Sequence, residues 1–297
     1  MRPEDRTVSR GSLAGHPGFA EISPEVGVLD ADAFDAALAE RPDETLELLV
    51  EMTRATDTAL RTAARRLAGR VVLDIGRSGR VTRRGIGRLR AVPADRGGDL
   101  DLDASLGAVA DARAARRPLG LDELTARTWA RPALALCLVV DASGSMNGSR
   151  LATAALTAAA CAFRAPGDHA VLSFAAETQV LRDMDSGRPA SAVVDRVLGL
   201  RGHGVTALAG ALRAAAAQLE RTRAQRKVVV LLSDCRATDD QDPVPVARRI
   251  PELVVLAPGD DAEQAADLAA RAGARWAPVA GPSDAPEALV SLLGGGS

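Results

Sequence analysis

Tyrosine is absent from this 297-residue chain, Lys227 is its only lysine, and aromatic residues make up just 2% of it. A core with so few rings has to be built from Ala, Val and Leu, and positive charge has to come almost wholly from arginine. The single lysine excludes ATP hydrolysis by the P-loop route, which needs G-x4-G-K-[ST], because Lys227 stands between Arg226 and a run of valines. The three cysteines, Cys137, Cys161 and Cys235, lack C-x-x-C spacing and lie in or beside apolar runs, as buried thiols in a reducing compartment do. Met1 to Ser23 contains no apolar h-region, and the longest apolar stretch, Leu151 to Phe163, falls short of the ~20 residues that span a bilayer. The expectation is a cytoplasmic protein with no membrane contact.

What remains is an ordinary globular balance, 47% apolar and 26% charged. The net charge of −2 conceals an uneven spread. Residues 1–60 carry 5 Arg against 13 acids, whereas residues 61–96 carry 11 Arg against only Asp74 and Asp95. Such neighbouring segments either neutralise each other within one subdomain, lie on solvated faces, or form a docking surface.

Along the chain, residues 1–23 have the composition of a flexible tail. Residues 24–76 have helical character: Phe34 and Leu38, then Leu46, Leu49 and Val50, then Leu60, Ala64, Leu67, Val71 and Ile75 at steps of three and four. Gly76, Gly79, Gly85 and Gly87 then act as helix breakers, and residues 77–131 form an Arg-rich connector with short elements, including a helix over Ala104 to Arg117. From 132 to 297 continuous apolar strands alternate with helices. The first strand is Ala133 to Asp141, and another is Lys227 to Ser233. That alternation predicts an α/β fold with a doubly wound, mainly parallel sheet covered on both faces, accompanied by a smaller helical N-terminal region.

In such a sheet ligands bind at the carboxyl ends of the strands. There the chain reads Asp141-Ala142-Ser143-Gly144-Ser145, placing a carboxylate and two hydroxyls at alternate positions that can converge on one point. Ser233-Asp234 closes a second strand, and Thr206 follows Gly204-Val205 ahead of a helix. Asp141, Ser143, Ser145, Thr206 and Asp234 thus offer five hard oxygen donors from three loops, a set suited to Mg2+, Mn2+ or Ca2+ and not to zinc. If they share one ion, the strand ending at Asp141 must be central and adjacent to the strand ending at Ser233. A lone D-x-S-x-S carries little, since Asp and Ser are common in loops. The downstream Thr206 and Asp234 at matching strand ends make it specific.

This set, complete in residue type and order, resembles the metal-ion-dependent adhesion site of von Willebrand factor type A (VWA) domains. The resemblance implies that the serines and Thr206 bind metal directly and the aspartates wholly or partly through water. Cys235 departs from the pattern, since many relatives have glycine after the aspartate, and is expected to narrow the rim without touching metal. Upstream, the helical region, the Arg-rich connector and the Asp99-x-Asp101-x-Asp103 element resemble a bacterial intracellular group similar to magnesium-chelatase D subunits and carbon-monoxide-dehydrogenase accessory proteins. That likeness implies a partner among AAA+ ATPases of the chelatase or MoxR type.

The leading functional expectation is therefore a non-enzymatic adaptor whose metal grips an acidic residue of a protein partner, in metal insertion or complex maturation. A Mg2+-dependent hydrolase on the same site would need a general base. His169 precedes a strand and falls on the opposite rim, and His16 lies in the tail. Only His203, between Gly202 and Gly204, could reach the metal, and such a loop histidine more often caps backbone groups. Nucleic-acid binding through residues 61–96 is the other alternative, opposed by the negative net charge and the scarcity of stacking aromatics.

Overall fold

The computed structural model of the chain describes residues 7–78, 88–96, 99–130, 133–144, 148–202 and 204–294. Its N-terminal part forms five helices: α1 (Arg10–Leu13), α2 (Phe19–Ile22), α3 (Ala31–Glu40), α4 (Pro42–Met52) and α5 (Thr58–Ser78). Acidic side chains start two of them, since Asp30 accepts from the amides of Asp32 and Ala33, and Asp57 from those of Ala59 and Leu60. Residues 7–23, expected to be tail, instead bury Leu13, Phe19 and Ile22, with the Arg10 guanidinium 5.0 Å from the Phe19 ring. Their two helices are only a turn long, too short for any apolar period to register in the sequence. Helix α5 also runs through Gly76, expected to break it. A Cβ there would lie 2.7 Å from the Cβ of Ala159, so the glycine serves close packing and not termination.

Some of the arginines that give residues 61–96 the look of a basic stripe are used internally. Arg61 donates to the Ala55 carbonyl at 3.0 Å, Arg65 to that of Thr53 at 3.2 Å, and Arg77 lies over the Phe163 ring.

The described residues between 88 and 133 form a separate small unit. Strands β1 (Arg88–Pro93), β2 (Asp99–Leu100) and β3 (Thr125–Ala130) pair antiparallel in the order β1-β3-β2, with helix α6 (Leu102–Ala114) between the second and third. Asp101, the middle of the D-x-D-x-D element, caps α6 through the Ala104 amide and meets Arg127 Nε at 2.5 Å.

The remainder belongs to one unit with the N-terminal helices. Its elements are β4 (Leu134–Asp141), α7 (Gly148–Arg164), β5 (His169–Phe174), β6 (Thr178–Arg182), α8 (Ala190–Leu198), α9 (Leu208–Glu220), β7 (Arg226–Leu232), α10 (Val244–Ala247), β8 (Leu253–Pro258), α11 (Glu263–Ala272), β9 (Arg275–Val279) and α12 (Ala285–Gly294). The sheet order is β6-β5-β4-β7-β8-β9, parallel throughout except for the β5–β6 hairpin. Strand β4 is central and pairs with β7, Val140 opposite Leu232, which is the adjacency the site requires.

Because side chains alternate along a strand, β4 feeds two cores. Leu136, Leu138 and Val140 join a cluster with α7, α8, α12 and the N-terminal helices, while Ala135, Cys137 and Val139 join one with α9, α10 and α11. The alanine richness of α7 follows from its position. It lies between the sheet and α4 and α5, and is buried on both sides, so only small side chains let three layers approach. Among the described residues no helix is long and apolar enough to cross a membrane.

Candidate functional site

At the carboxyl end of β4 the Asp141 carboxylate accepts three hydrogen bonds from described residues. Oδ1 accepts from the Ser143 amide at 2.9 Å and from the Ser143 hydroxyl at 2.6 Å, and Oδ2 accepts from the Ser233 hydroxyl at 2.5 Å. The first two close a turn that needs Gly144, at φ 67, to swing the chain away from the strand. Ser233 is fixed in its turn, because its Oγ accepts the Cys235 amide at 2.8 Å. Asp234 follows directly, with Oδ1 accepting the Arg236 amide at 3.0 Å.

Burial raises the Asp141 pKa above the ordinary carboxylate range. The hydrogen bonds from Ser143 and Ser233 oppose that rise, and the negative charge of Asp234 adds to it. All donors to Asp141 among the described residues are neutral. A largely buried carboxylate beside a like charge, with hydroxyls for company, is short of positive charge, and a divalent cation fits that deficit. Among the described residues no three His, Cys, Asp or Glu side chains cluster.

Thr206 reaches the same rim by a different route. Its amide donates to Thr238 Oγ1 at 2.8 Å, its carbonyl accepts the Thr238 amide at 3.1 Å, and the next amide, Ala207, donates to the Ala175 carbonyl beyond β5. The Ala142 amide donates to the carbonyl of Phe174, the last residue of β5, at 2.7 Å. Asp141, Ser143 and Asp234 are thus joined through Ser233, whereas Thr206 is tied in through Thr238 and the end of β5. Ser145 lies outside the described residues, as does His203. A cleft of about 680 Å³ opens beside the rim, with Asp141, Ser149, Arg150, Ser233, Asp234 and Gly281 among its walls.

Two further residues belong to the arrangement. In the sequence Ser233 stands out only as the neighbour of Asp234, although a serine one step before a strand-end aspartate is itself a signal, since it faces the adjacent strand's carboxylate. Thr238 carries no such signal. Cys235, expected to narrow the rim, turns its side chain inward. Its side chain is buried among the α9–α10–α11 core cluster, where burial pushes the thiol up to about 12. Its φ of 63 is in the left-handed region, the conformation glycine adopts most readily.

The other described histidines are engaged elsewhere. His169 pairs with Leu136 at the start of β5, the far end of the sheet from Asp141, and its Nδ1 is 2.9 Å from the Ala165 carbonyl. His16 is not in a tail but 2.9 Å from the Glu51 carboxylate.

A family model described as VWA domain containing CoxE-like protein matches residues 53–281. No curated protein matches the chain. Among solved structures it is similar to an aerotolerance-related membrane protein from Bacteroides fragilis, at 15% identity over 54% of this chain and 98% of that one, TM-score 0.44. It is also similar to a von Willebrand factor type A protein from Catenulispora acidiphila, at 16% identity over 57% and 43% of the two chains, TM-score 0.43. A third likeness is the manganese-loaded TRAP protein of Plasmodium vivax, at 18% identity over 50% and 69%, TM-score 0.40.

Proposed function

Because this chain belongs to the family of VWA domain containing CoxE-like proteins, we propose that it is a non-enzymatic, divalent-metal-dependent protein-binding adaptor. The observation that carries the proposal is the Asp141 carboxylate, fixed by Ser143 and Ser233 at the end of the central strand, beside Asp234 and without a cationic partner among the described residues. Asp141, Ser143, Ser145, Thr206 and Asp234 would hold Mg2+, or Mn2+ or Ca2+ in its place. When bound, the ion supplies a Lewis-acidic point that takes a further oxygen ligand.

The residues divide the work. Asp141 and Asp234 contribute charge, while the three hydroxyls contribute neutral donors, so the cation is balanced without excess and stays attractive to a carboxylate from another chain. Ser233 orients Asp141 and contributes no charge. The partner is accordingly a protein offering an acidic side chain. The upstream resemblance to magnesium-chelatase D subunits and carbon-monoxide-dehydrogenase accessory proteins supports an AAA+ ATPase of the chelatase or MoxR type, acting in the cytoplasm on metal insertion or complex maturation.

Calorimetric titration with Mn2+ tests the site, and capture of partners from native lysate with Mg2+ or with EDTA tests its use. The expected result is Mn2+ binding that Asp141→Ala abolishes, together with a captured AAA+ ATPase released by EDTA and not retained by Asp141→Ala. Undiminished capture under EDTA would sink the adaptor reading.

A further inference from the structure

The N-terminal helices contribute no candidate ligand, yet one stretch of them touches three of the backbone segments that lead to the rim. Asp43, Glu47 and Glu51 fall at steps of four along α4, hence on one face. Asp43 Oδ1 accepts the Ser283 amide at 2.8 Å, and a Cβ on Gly281, a wall of the cleft, would collide with the Asp43 carboxylate. A Cβ on Gly148, the first residue of α7, would lie 2.7 Å from Glu47 Cγ and 2.9 Å from the Glu47 carbonyl oxygen. Beyond the end of α4, Arg54 Nη2 donates to the Leu200 carbonyl at 2.6 Å, ahead of the segment that ends in Thr206.

Two glycines therefore occur where this acidic face presses on the backbone, one just after the D-x-S-x-S segment and one across the cleft. Helix α7 has no acid in its own first turn, and Glu47 and Glu51 stand beside it where negative charge is favourable. We propose that residues 43–54 are a built-in positioning element for the metal rim, Glu47 packing on Gly148 just after the D-x-S-x-S segment and Asp43 holding the facing loop of Gly281 and Ser283 across the cleft. This rests on the metal-site reading above and extends it: cation affinity depends on residues of the N-terminal region that never touch the ion. The acidic face is then occupied within the chain and is not the surface offered to a partner.

The test is Mn2+ titration of the full chain, followed by calorimetry and by the Mn2+ electron paramagnetic resonance line shape, with melting temperature recorded for each variant. Asp43→Ala and Gly148→Ala are expected to weaken Mn2+ binding about tenfold or more, the scale seen when groups behind metal ligands are removed. Asp43→Asn, which keeps an oxygen for the Ser283 amide, should restore wild-type affinity and line shape, and Glu220→Ala, which removes an exposed acid at the far end of α9, should change neither. Should Gly148→Ala fail to fold, the Asp43 variants decide the question alone. Wild-type Mn2+ binding that Asp43→Ala leaves unchanged would overturn this inference while leaving the metal site standing. A wild-type chain that does not bind Mn2+ would overturn both.

Discussion

Ser233 and Asp141 stand at the ends of adjacent parallel strands, and the serine hydroxyl donates to Asp141 Oδ2 at 2.5 Å while accepting the Cys235 amide at 2.8 Å. One side chain therefore joins the D-x-S-x-S turn to the loop that carries Asp234. Removing it leaves a largely buried carboxylate with one donor fewer and an amide without its acceptor. Since hydrogen bonds to charged groups contribute about 1.5–3 kcal/mol, Ser233→Ala should lower stability by about 2 kcal/mol in urea unfolding without metal. Ser233→Thr, which retains the hydroxyl, should lose less. Equal losses for the two would show that the hydroxyl is not what matters.

Cys235 occupies the left-handed region at φ 63, and its side chain is buried in the core behind the rim. Two opposing effects meet there: a non-glycine residue in that region costs about 1–2 kcal/mol, and a buried thiol contributes packing. Cys235→Ala forfeits the sulfur and keeps the backbone cost, whereas Cys235→Gly relieves it. Denaturant unfolding should therefore find Cys235→Gly at least as stable as Cys235→Ala. The reverse order would mean that the turn is unstrained and that the Cβ packing dominates.

The central sheet is legible in the sequence because a strand buried on both faces is continuously apolar, as Leu134 to Val140 and Val228 to Leu232 are. The strand-end oxygens are legible because alternation along a strand brings Asp141 and Ser143 to one side. What depends on approach between distant segments is not. Gly76 has the look of a helix end because glycine is a poor helix former, and nothing local says that Ala159 lies against it. Residues 10–22 have the look of a tail because a single turn has no period. Likewise, the residues that brace the rim from α4 signal only through the glycines opposite them, which sequence alone cannot pair.

Gly76 gives a test of that packing. Alanine is favoured over glycine by about 1 kcal/mol inside a helix, so propensity alone predicts that Gly76→Ala stabilises the protein. A Cβ there would lie 2.7 Å from the Ala159 Cβ and 3.1 Å from the Ala160 amide nitrogen, and overpacking of a core costs about 1–3 kcal/mol. The expected outcome in thermal unfolding is a net loss, and Ala159→Gly added to Gly76→Ala should recover part of it as coupling between neighbours. A stabilised Gly76→Ala would show that α5 and α7 are farther apart than these distances.

His169 is buried at the end of the sheet away from Asp141. Its Nδ1 lies 2.9 Å from the Ala165 carbonyl, which fixes the proton on that nitrogen, while its buried Nε2 has no hydrogen-bond partner among the described residues. Protonation would place a charge on a nitrogen that nothing there receives. Burial, with the nearby Arg182 charge adding to it, lowers the pKa from 6.5 to about 4, against which the Ala165 hydrogen bond works only in part. Above pH 6.5 the ring is neutral in both states and folding is unaffected. As pH falls from 6.5 to about 4 the unfolded chain takes up a proton that the folded one refuses, so stability is lost progressively through that window, by about 3 kcal/mol in all. Unfolding in urea at a series of pH values should show that decline in the wild-type protein. His169→Asn, which has a side-chain amide to offer the Ala165 carbonyl and nothing to titrate, should show a shallower one. If both chains lose stability equally between pH 6.5 and 4, the acid sensitivity arises elsewhere and His169 is not held neutral by its burial.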